Sequence, residues 1–215
     1  MTVDLLRQGD LATWSSPEAA LLALADPDAA REGAPLVDGV KLPAETRAMW
    51  VTALTGWWWA CQDANALYRW LGQRARTDCH DSSAHRSWVL AACVCARFTL
   101  EGVPGSDRAE IGRLVEAIAQ WVRQGRAGKP AAYIRLRLCD LCTSMNSALA
   151  AVDAAATAAY SNAANNENAS DAVDHAVTAS FLLTDTNDWE QARTESLRHL
   201  AKLIRAEVSL HEVLP

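Results

Sequence analysis

The sequence predicts an all-α protein, an antiparallel bundle of about six helices preceded by a small helix and a short β-hairpin. Beyond residue 44, apolar residues recur at spacings of three and four, the period of an amphipathic helix. The 10 glycines and 7 prolines lie mostly between these periodic segments. The connections are short, which favours antiparallel neighbours. Because half of the 215 residues are apolar, the chain can bury a sizeable core.

The first 43 residues predict an appendage, and the bundle itself is expected to span residues 44–215. Ser16 is a suitable N-cap with Pro17 at the first helical position, so a short helix is expected there. In residues 36–42, an Asp-Gly pair separates two short apolar runs. This pattern indicates a hairpin.

Residues 44–74 predict one long helix around three consecutive tryptophans, Trp57, Trp58 and Trp59. Successive helical residues lie about 100° apart, so the three indoles spread over most of the circumference. Either this helix is central in the bundle, or one indole faces a binding surface. Trp58 and Trp59 are the ones expected to depart from the core pattern. Because tryptophan is enriched at binding hot spots, we expect these two to contact a partner.

Two further helices are expected before residue 126. Residues 72–81 predict a connection, after which Asp81 is expected to cap a helix over residues 82–100. An Asp-x-x-Glu start at Asp107 opens the next helix, and Gly125 ends it.

Three patterns complete the predicted bundle. A long helix is expected over residues 131–163, with a bend at residues 143–147, where hydroxyl and amide side chains compete for backbone hydrogen bonds. Its second half is mostly alanine, which lets a neighbouring helix approach closely. Residues 170–183 predict a helix that is capped by Ser170. Asp188 begins the last helix, with a glutamine three residues later.

The net charge of −6 is unevenly distributed along the chain. Residues 51–150 hold 12 basic and 8 acidic side chains, whereas residues 151–215 hold 4 basic and 10 acidic ones. The central arginines are expected to pair with the acidic ends of the same chain. An acidic protein lacks the basic face that nucleic acid requires, so no nucleic-acid partner is expected.

No membrane partner is expected either. The start of the chain lacks a basic segment followed by an apolar core. The longest apolar run, residues 88–96, is far shorter than the ~20 residues of a membrane span. These patterns predict a cytoplasmic protein.

The cysteine spacing argues against a metal site. Cys93 and Cys95 fall in a helical pattern and would point about 200° apart, and Cys139 and Cys142 also lie within a predicted helix. Structural zinc sites use tight turns instead. No metal and no cofactor is expected. All six cysteines are predicted to be reduced thiols, mostly buried: Cys61, Cys79, Cys93, Cys95, Cys139 and Cys142.

No pattern in the sequence predicts catalysis. The chain contains no nucleophile elbow, phosphate-binding loop or dinucleotide fingerprint. The adjacent Cys79-His80 pair does not resemble a catalytic dyad, which is usually assembled through space. Acid–histidine pairs spaced by four residues are expected to be local ion pairs; they are Asp81/His85, Asp171/His175 and Glu195/His199.

The order of several short motifs resembles a known family. These motifs are LPAETR at residues 42–47, WACQDA at residues 59–64, Asp107-Arg108, Trp121 with Gly125, and an alanine-rich tail ending in Trp189, Arg193 and Leu197. Over residues 42–205 the chain resembles the alanine-rich immunity proteins of bacterial toxin–immunity systems. It departs from them by inserting a helix at residues 82–100. The resemblance implies a small, non-catalytic binder of a cognate toxin, and it assigns no role to any residue.

Charge is compatible with that role. Carboxylates near the end of the chain can steer a basic toxin or effector towards it. The candidate steering residues are Asp171, Asp174, Asp185, Asp188 and Glu190.

Two other functions stay open at this point. A small-molecule-binding or enzymatic protein would need a pocket, for which the candidate lining residues are Trp57, Trp88, His80 and His85. A self-assembling structural subunit would form a homo-oligomer through the alanine-rich face, with a large apolar interface.

Overall fold

The computed structural model describes residues 44–77, 82–103, 105–124, 147–160, 171–184 and 187–213. Within these ranges every regular element is helical, so the all-α prediction is confirmed there. The predicted hairpin and the helix after Ser16 lie outside these ranges, as does most of the first half of the helix predicted over residues 131–163. The antiparallel arrangement of the bundle and the domain boundary after residue 43 stay predictions.

The helices are numbered in chain order. They are α1 (Ala44–Ala60), α2 (Ala64–Thr77), α3 (Ser83–Phe98), α4 (Gly105–Arg123), α5 (Ser147–Tyr160), α6 (Ala172–Phe181), α7 (Trp189–Glu207) and the single turn α8 (Leu210–Val213). A short 3-10 helix, Leu100–Gly102, follows α3. The chain forms two compact units, Met1–Gln62 with Leu214–Pro215, and Asp63–Val213.

The single helix predicted over residues 44–74 is wrong, because the chain leaves the helical conformation between α1 and α2. Asp63 caps α2: its Oδ1 accepts hydrogen bonds from the backbone N–H of Asn65 at 2.8 Å and of Ala66 at 3.4 Å. Its backbone carbonyl accepts the first helical bond from Leu67 N at 3.2 Å. A carboxylate in this position satisfies amide groups that a helix start leaves unpaired. Apolar periodicity continues across the break, which is why the pattern alone suggested one helix.

The connection predicted to begin at Gly72 is also wrong, because α2 continues through this glycine to Thr77. Glycine weakens a helix interior, but here it makes room for the indole of Trp88 on α3. A Cβ atom at position 72 would lie 3.1 Å from Nε1 of Trp88. The glycine therefore sets how closely α2 and α3 approach each other.

In the unit Asp63–Val213, α3 is the central helix. It packs against α2, α4, α5, α6, α7 and α8, most extensively against α5. Every residue from Ser87 to Ala96 is buried. A helix that is apolar on all sides is stable only when neighbours surround it. The sequence signal was the uninterrupted apolar run at residues 88–96.

The alanine-rich helix α5 buries its small side chains within the same unit. Its residues 151, 152 and 154–159 are buried, and it packs against α3, α4 and α6. Small side chains let helix backbones approach closely, although each buries little area. The prediction that this face accommodates a neighbouring helix is confirmed.

The structure corrects several predicted helix starts and confirms one. Asp171, not Ser170, is the N-cap residue of α6, and α4 begins at Gly105, so Asp107 lies in its first turn. Ser82, not Asp81, caps α3, and its Oγ accepts a hydrogen bond from His85 N at 3.1 Å. Asp188 caps α7 as predicted, accepting from Gln191 N at 3.0 Å. Both are short polar side chains in extended backbone, which is the usual N-cap geometry.

Two arginines of the central region, Arg97 and Arg123, pair with Glu207 of the acidic C-terminal end, as expected from the charge distribution. Arg97 on α3 donates to Glu116 on α4 at 2.6 Å and to Glu207 on α7 at 3.3 Å. Arg123 also pairs with Glu207. Burial lowers the pKa of Arg97, but the two carboxylates outweigh this effect and raise it overall. These ion pairs connect α3, α4 and α7.

Replacing Asp63 with alanine should remove the cap of α2 and lower the free energy of unfolding by about 1 kcal/mol. Urea denaturation measures the change. Asp63→Asn is the matched control, because asparagine caps helices about as well as aspartate. Equal destabilisation by both variants would contradict the capping role and would point to the charge instead.

Replacing Gly72 with alanine should lower the free energy of unfolding by about 1 kcal/mol, because crowding against Trp88 exceeds the gain in helix propensity. The matched control is Gly112→Ala on α4, where the nearest atom to the added Cβ, Leu100 Cδ1, lies 3.6 Å away. That variant should be about as stable as the wild type, or more stable. Thermal unfolding of both variants compares them, and a stabilised Gly72→Ala protein would refute the close approach.

Candidate functional site

The three consecutive tryptophans of α1 differ in exposure. Trp57 and Trp58 are fully buried, whereas Trp59 is 63 % exposed. The expectation that Trp58 is available to a partner is therefore wrong, because its side chain is fully buried. One indole does face outward, which was one of the two outcomes expected for this helix. A partner-binding role for Trp59 stays a prediction.

The predicted steering carboxylates divide between the two ends of α6. Asp171 and Asp174 are exposed at its amino end, and Asp174 Oδ1 accepts a hydrogen bond from Asn65 Nδ2 at 2.9 Å. Asp188 and Glu190 are exposed beyond its carboxyl end, where α7 begins. The ten residues of α6 span about 15 Å. Asp185 lies outside the described residues.

Between α6 and α7 the structure exposes apolar side chains that the sequence analysis did not assign to a surface. Leu182 is 69 % exposed, Leu183 is 51 % exposed and Trp189 is 36 % exposed. These three residues, with the neighbouring carboxylates of Asp188 and Glu190, are called the α6–α7 tip below. The missed signal was Leu182-Leu183 directly before the polar segment at residues 184–188.

The side chains near the tip hold its backbone and its indole in place. The ring of Phe181 packs edge-to-face on Trp189, with centroids 4.9 Å apart and an angle of 89°. Ser196 Oγ on α7 donates to Ser180 Oγ on α6 at 3.2 Å. The backbone amides of Leu182 and Leu183 donate to carbonyl oxygens of α6 at 3.2 and 3.1 Å. These contacts join α6 to α7 beside the tip.

The residues proposed for a pocket serve packing where the structure describes them. His85 on α3 is buried, and its Nε2–H donates to the carbonyl oxygen of Ala158 at 3.1 Å. Ala158 lies in the last turn of α5, so this hydrogen bond joins α3 to that end of α5. Trp88 is buried beside it, with ring centroids 6.3 Å apart. Trp57 lies in the other compact unit, and His80 lies outside the described residues.

Two of the three acid–histidine pairs can be placed. The imidazole of His199 packs edge-to-face on Phe98, with centroids 5.4 Å apart, and Glu195 accepts a hydrogen bond from Gln191 Nε2 at 3.0 Å. The backbone amide of His175 donates to the carbonyl of Asp171 at 2.9 Å. Asp81, the partner predicted for His85, lies outside the described ranges.

Three cysteines are buried free thiols, as the sequence predicts: Cys61, Cys93 and Cys95. Burial raises the pKa of Cys93 to about 12, an effect that the Arg97 charge only partly offsets. Burial, followed by the charge of Cys93, raises the pKa of Cys95 even further. Both thiols are protonated near neutral pH and are therefore poor nucleophiles. Cys79, Cys139 and Cys142 lie outside the described residues.

Neither metal ligands nor membrane spans are found in the described part of the chain. No group of three or more histidine, cysteine, aspartate or glutamate side chains lies there in a metal-binding arrangement. None of the helices described has both the length and the apolar character that crossing a membrane requires.

Comparisons with known proteins do not assign a family. No family model matches the chain, and no match to it was found among curated proteins or among solved structures.

The unfolding free energy should fall as the pH rises above about 9. The unfolded thiols of Cys93 and Cys95 ionise near their ordinary pKa of 9.0, whereas the folded thiols keep their protons. The unfolded state then binds fewer protons, so the unfolding free energy decreases by about 1.4 kcal/mol per pH unit for each thiol. Urea denaturation at about pH 8 to about pH 10.5 measures the slope.

The double variant Cys93→Ala/Cys95→Ala serves as the control for this slope. It loses both titrating groups, so its unfolding free energy should depend less steeply on pH than that of the wild type. Tyr68, whose pKa is raised chiefly by burial, contributes in the same direction and remains in both proteins. Identical slopes would contradict the assignment to the two thiols.

Proposed function

We propose that this chain is a non-catalytic, cytoplasmic bacterial protein-interaction module that binds and neutralises a basic partner protein, in the manner of an immunity protein. The observation that carries the proposal is a long stretch of sequence that contains carboxylates and neither lysine nor arginine. Residues 138–192 contain 8 acidic residues and no lysine or arginine. Four of these acidic residues are exposed in the structure: Asp171, Asp174, Asp188 and Glu190.

Electrostatic attraction explains how such a segment would select its partner. Exposed carboxylates of one sign create a negative potential that accelerates association with a basic protein and disfavours acidic ones. At physiological ionic strength an exposed charge acts over about 8 Å, so the carboxylates at each end of α6 attract mainly the cations that come close to that end. A basic partner with cations opposite both ends would be attracted at both, although the carboxylates do not form one cluster.

Packing observations weigh against the two alternative functions. His85 and Trp88, which were candidates for a pocket, form internal contacts between helices. The alanine-rich face of α5, which was the candidate for self-assembly, is buried against other helices of the same unit. Neither feature supports a ligand pocket or an exposed assembly face.

The proposal is tested by capturing partners from lysate of the source bacterium with the tagged protein. We expect a basic protein that binds at low salt and elutes as the salt concentration rises. The variant Asp171→Asn/Asp174→Asn/Asp188→Asn/Glu190→Gln should reduce its recovery roughly tenfold. Asparagine at position 188 keeps the hydrogen-bond acceptor that caps α7, and circular dichroism checks that the variant is folded.

A matched control removes acidic residues elsewhere. Glu101→Gln/Glu195→Gln neutralises two exposed carboxylates outside residues 138–192, and it should retain the partner better than Asp188→Asn/Glu190→Gln does. Bacterial growth then measures whether this chain inhibits the captured protein. Expression of the captured protein alone should arrest growth, and co-expression of this chain should restore it. Capture of no basic protein, or growth arrest that persists on co-expression, would refute the proposed function.

A further inference from the structure

We propose that the α6–α7 tip is the docking surface of this protein, and that its occupant is a basic amphipathic segment of the partner, with lysine or arginine beside aliphatic side chains. This inference rests on the proposed function and adds the place and the chemistry of contact. Leu182, Leu183 and Trp189 bury the partner's aliphatic side chains, while Asp188 and Glu190 pair with its cations.

The backbone that carries the two exposed leucines is hydrogen-bonded to the end of α6. The amides of Leu182, Leu183 and Thr184 donate to the carbonyls of Thr178, Ser180 and Phe181 at 3.1–3.2 Å. The Thr184 hydroxyl also donates to the Phe181 carbonyl, at 2.8 Å. The turn thus holds two large aliphatic side chains in water, where burial by a partner is favourable.

Trp189 is positioned for binding before any partner arrives. Its ring packs edge-to-face on Phe181, and the Ser196–Ser180 hydrogen bond holds α7 against α6 just behind the tip. A side chain that is already fixed loses little conformational entropy on binding. Tryptophan in such a setting is a typical hot-spot residue, and its ring face also attracts the cations of lysine and arginine.

Charge favours a basic protein segment as the occupant over a second copy of this chain, a nucleic acid or a lipid surface. The nearest arginine to the tip in sequence is Arg193, which is half-buried, and residues 181–192 contain Asp185, Asp188 and Glu190 without a base. A second copy of this chain would bring the same carboxylates to the interface, which costs energy through like-charge repulsion. Nucleic acids and anionic lipid surfaces carry the same sign. A basic protein segment with an apolar face complements both the charge and the leucines.

The location of the tip separates docking from long-range steering. Asp171 and Asp174 lie at the other end of α6, about 15 Å away, and Asp174 is hydrogen-bonded to Asn65. These two carboxylates can attract a basic partner but do not adjoin the exposed leucines. Neutralising them should therefore reduce affinity less than changes at the tip.

The test uses a synthetic 18-residue peptide of lysine and leucine at helical spacing, titrated into the full chain by isothermal calorimetry. We expect roughly tenfold weaker binding from each of two apolar variants, Leu182→Ser/Leu183→Ser and Trp189→Ala. At low salt, we expect a similar loss from the charge variant Asp188→Asn/Glu190→Gln. The matched control is Leu203→Ser, which removes another exposed apolar side chain. This control should change the affinity less than about twofold. All variants alter exposed residues, and circular dichroism confirms that they are folded.

Several results would overturn the docking surface. Equal losses in tip variants and the control would show attraction without a defined site, as would losses confined to the charge variants. A wild-type dimer that Leu182→Ser/Leu183→Ser dissociates in sedimentation equilibrium would assign the tip to a second copy. Binding to phosphatidylcholine vesicles that the same variant abolishes would assign it to a lipid surface.

Failure of the inference is distinguishable from failure of the proposed function. If the leucine variant still captures the basic partner from lysate as the wild type does, the tip is not the docking surface, although the proposed function stands. If the wild type captures no basic protein, the proposed function itself fails. Loss of capture with Leu182→Ser/Leu183→Ser, but not with Leu203→Ser, supports both.

Discussion

Burial of α3 on all sides is the constraint on which the rest of the unit Asp63–Val213 depends. A helix that is apolar around its circumference cannot face water, so other helices must enclose it. This requirement accounts for Gly72, which admits the indole of Trp88, and for the alanines of α5, which let that helix pack against α3. It also accounts for His85, whose imidazole satisfies a carbonyl at the end of α5.

Enclosing α3 determines which surfaces are left for a partner. The alanine face of α5 and the paired rings of His85 and Trp88 are used inside the unit. The turn between α6 and α7 is different, because it exposes two leucines and one tryptophan beside carboxylates. Packing therefore places the apolar surface in the one long segment without a lysine or arginine, and this coincidence motivates both proposals.

Local patterns allowed much of the secondary structure to be predicted, with errors at particular residues. Asp188 is an N-cap whose signal is local, so it was predicted correctly. Asp63 is also a local cap, but uninterrupted apolar periodicity concealed the break that it makes. Gly72 was assigned to a connection because glycine disfavours helices, and only the contact with Trp88 explains its place inside one. Periodicity reports which residues are apolar and does not report which neighbour covers them.

The sequence by itself determined the helical class, the capping of α7, the burial of Cys61, Cys93 and Cys95, and the acidic segment without lysine or arginine. These features depend on residue type and on spacings within one element. Only the tertiary structure decided that α3 is the central helix of its unit, that Trp58 is buried while Trp59 is exposed, and that the α6–α7 tip presents apolar side chains. Exposure depends on how many neighbours surround a position, and those neighbours come from distant parts of the chain.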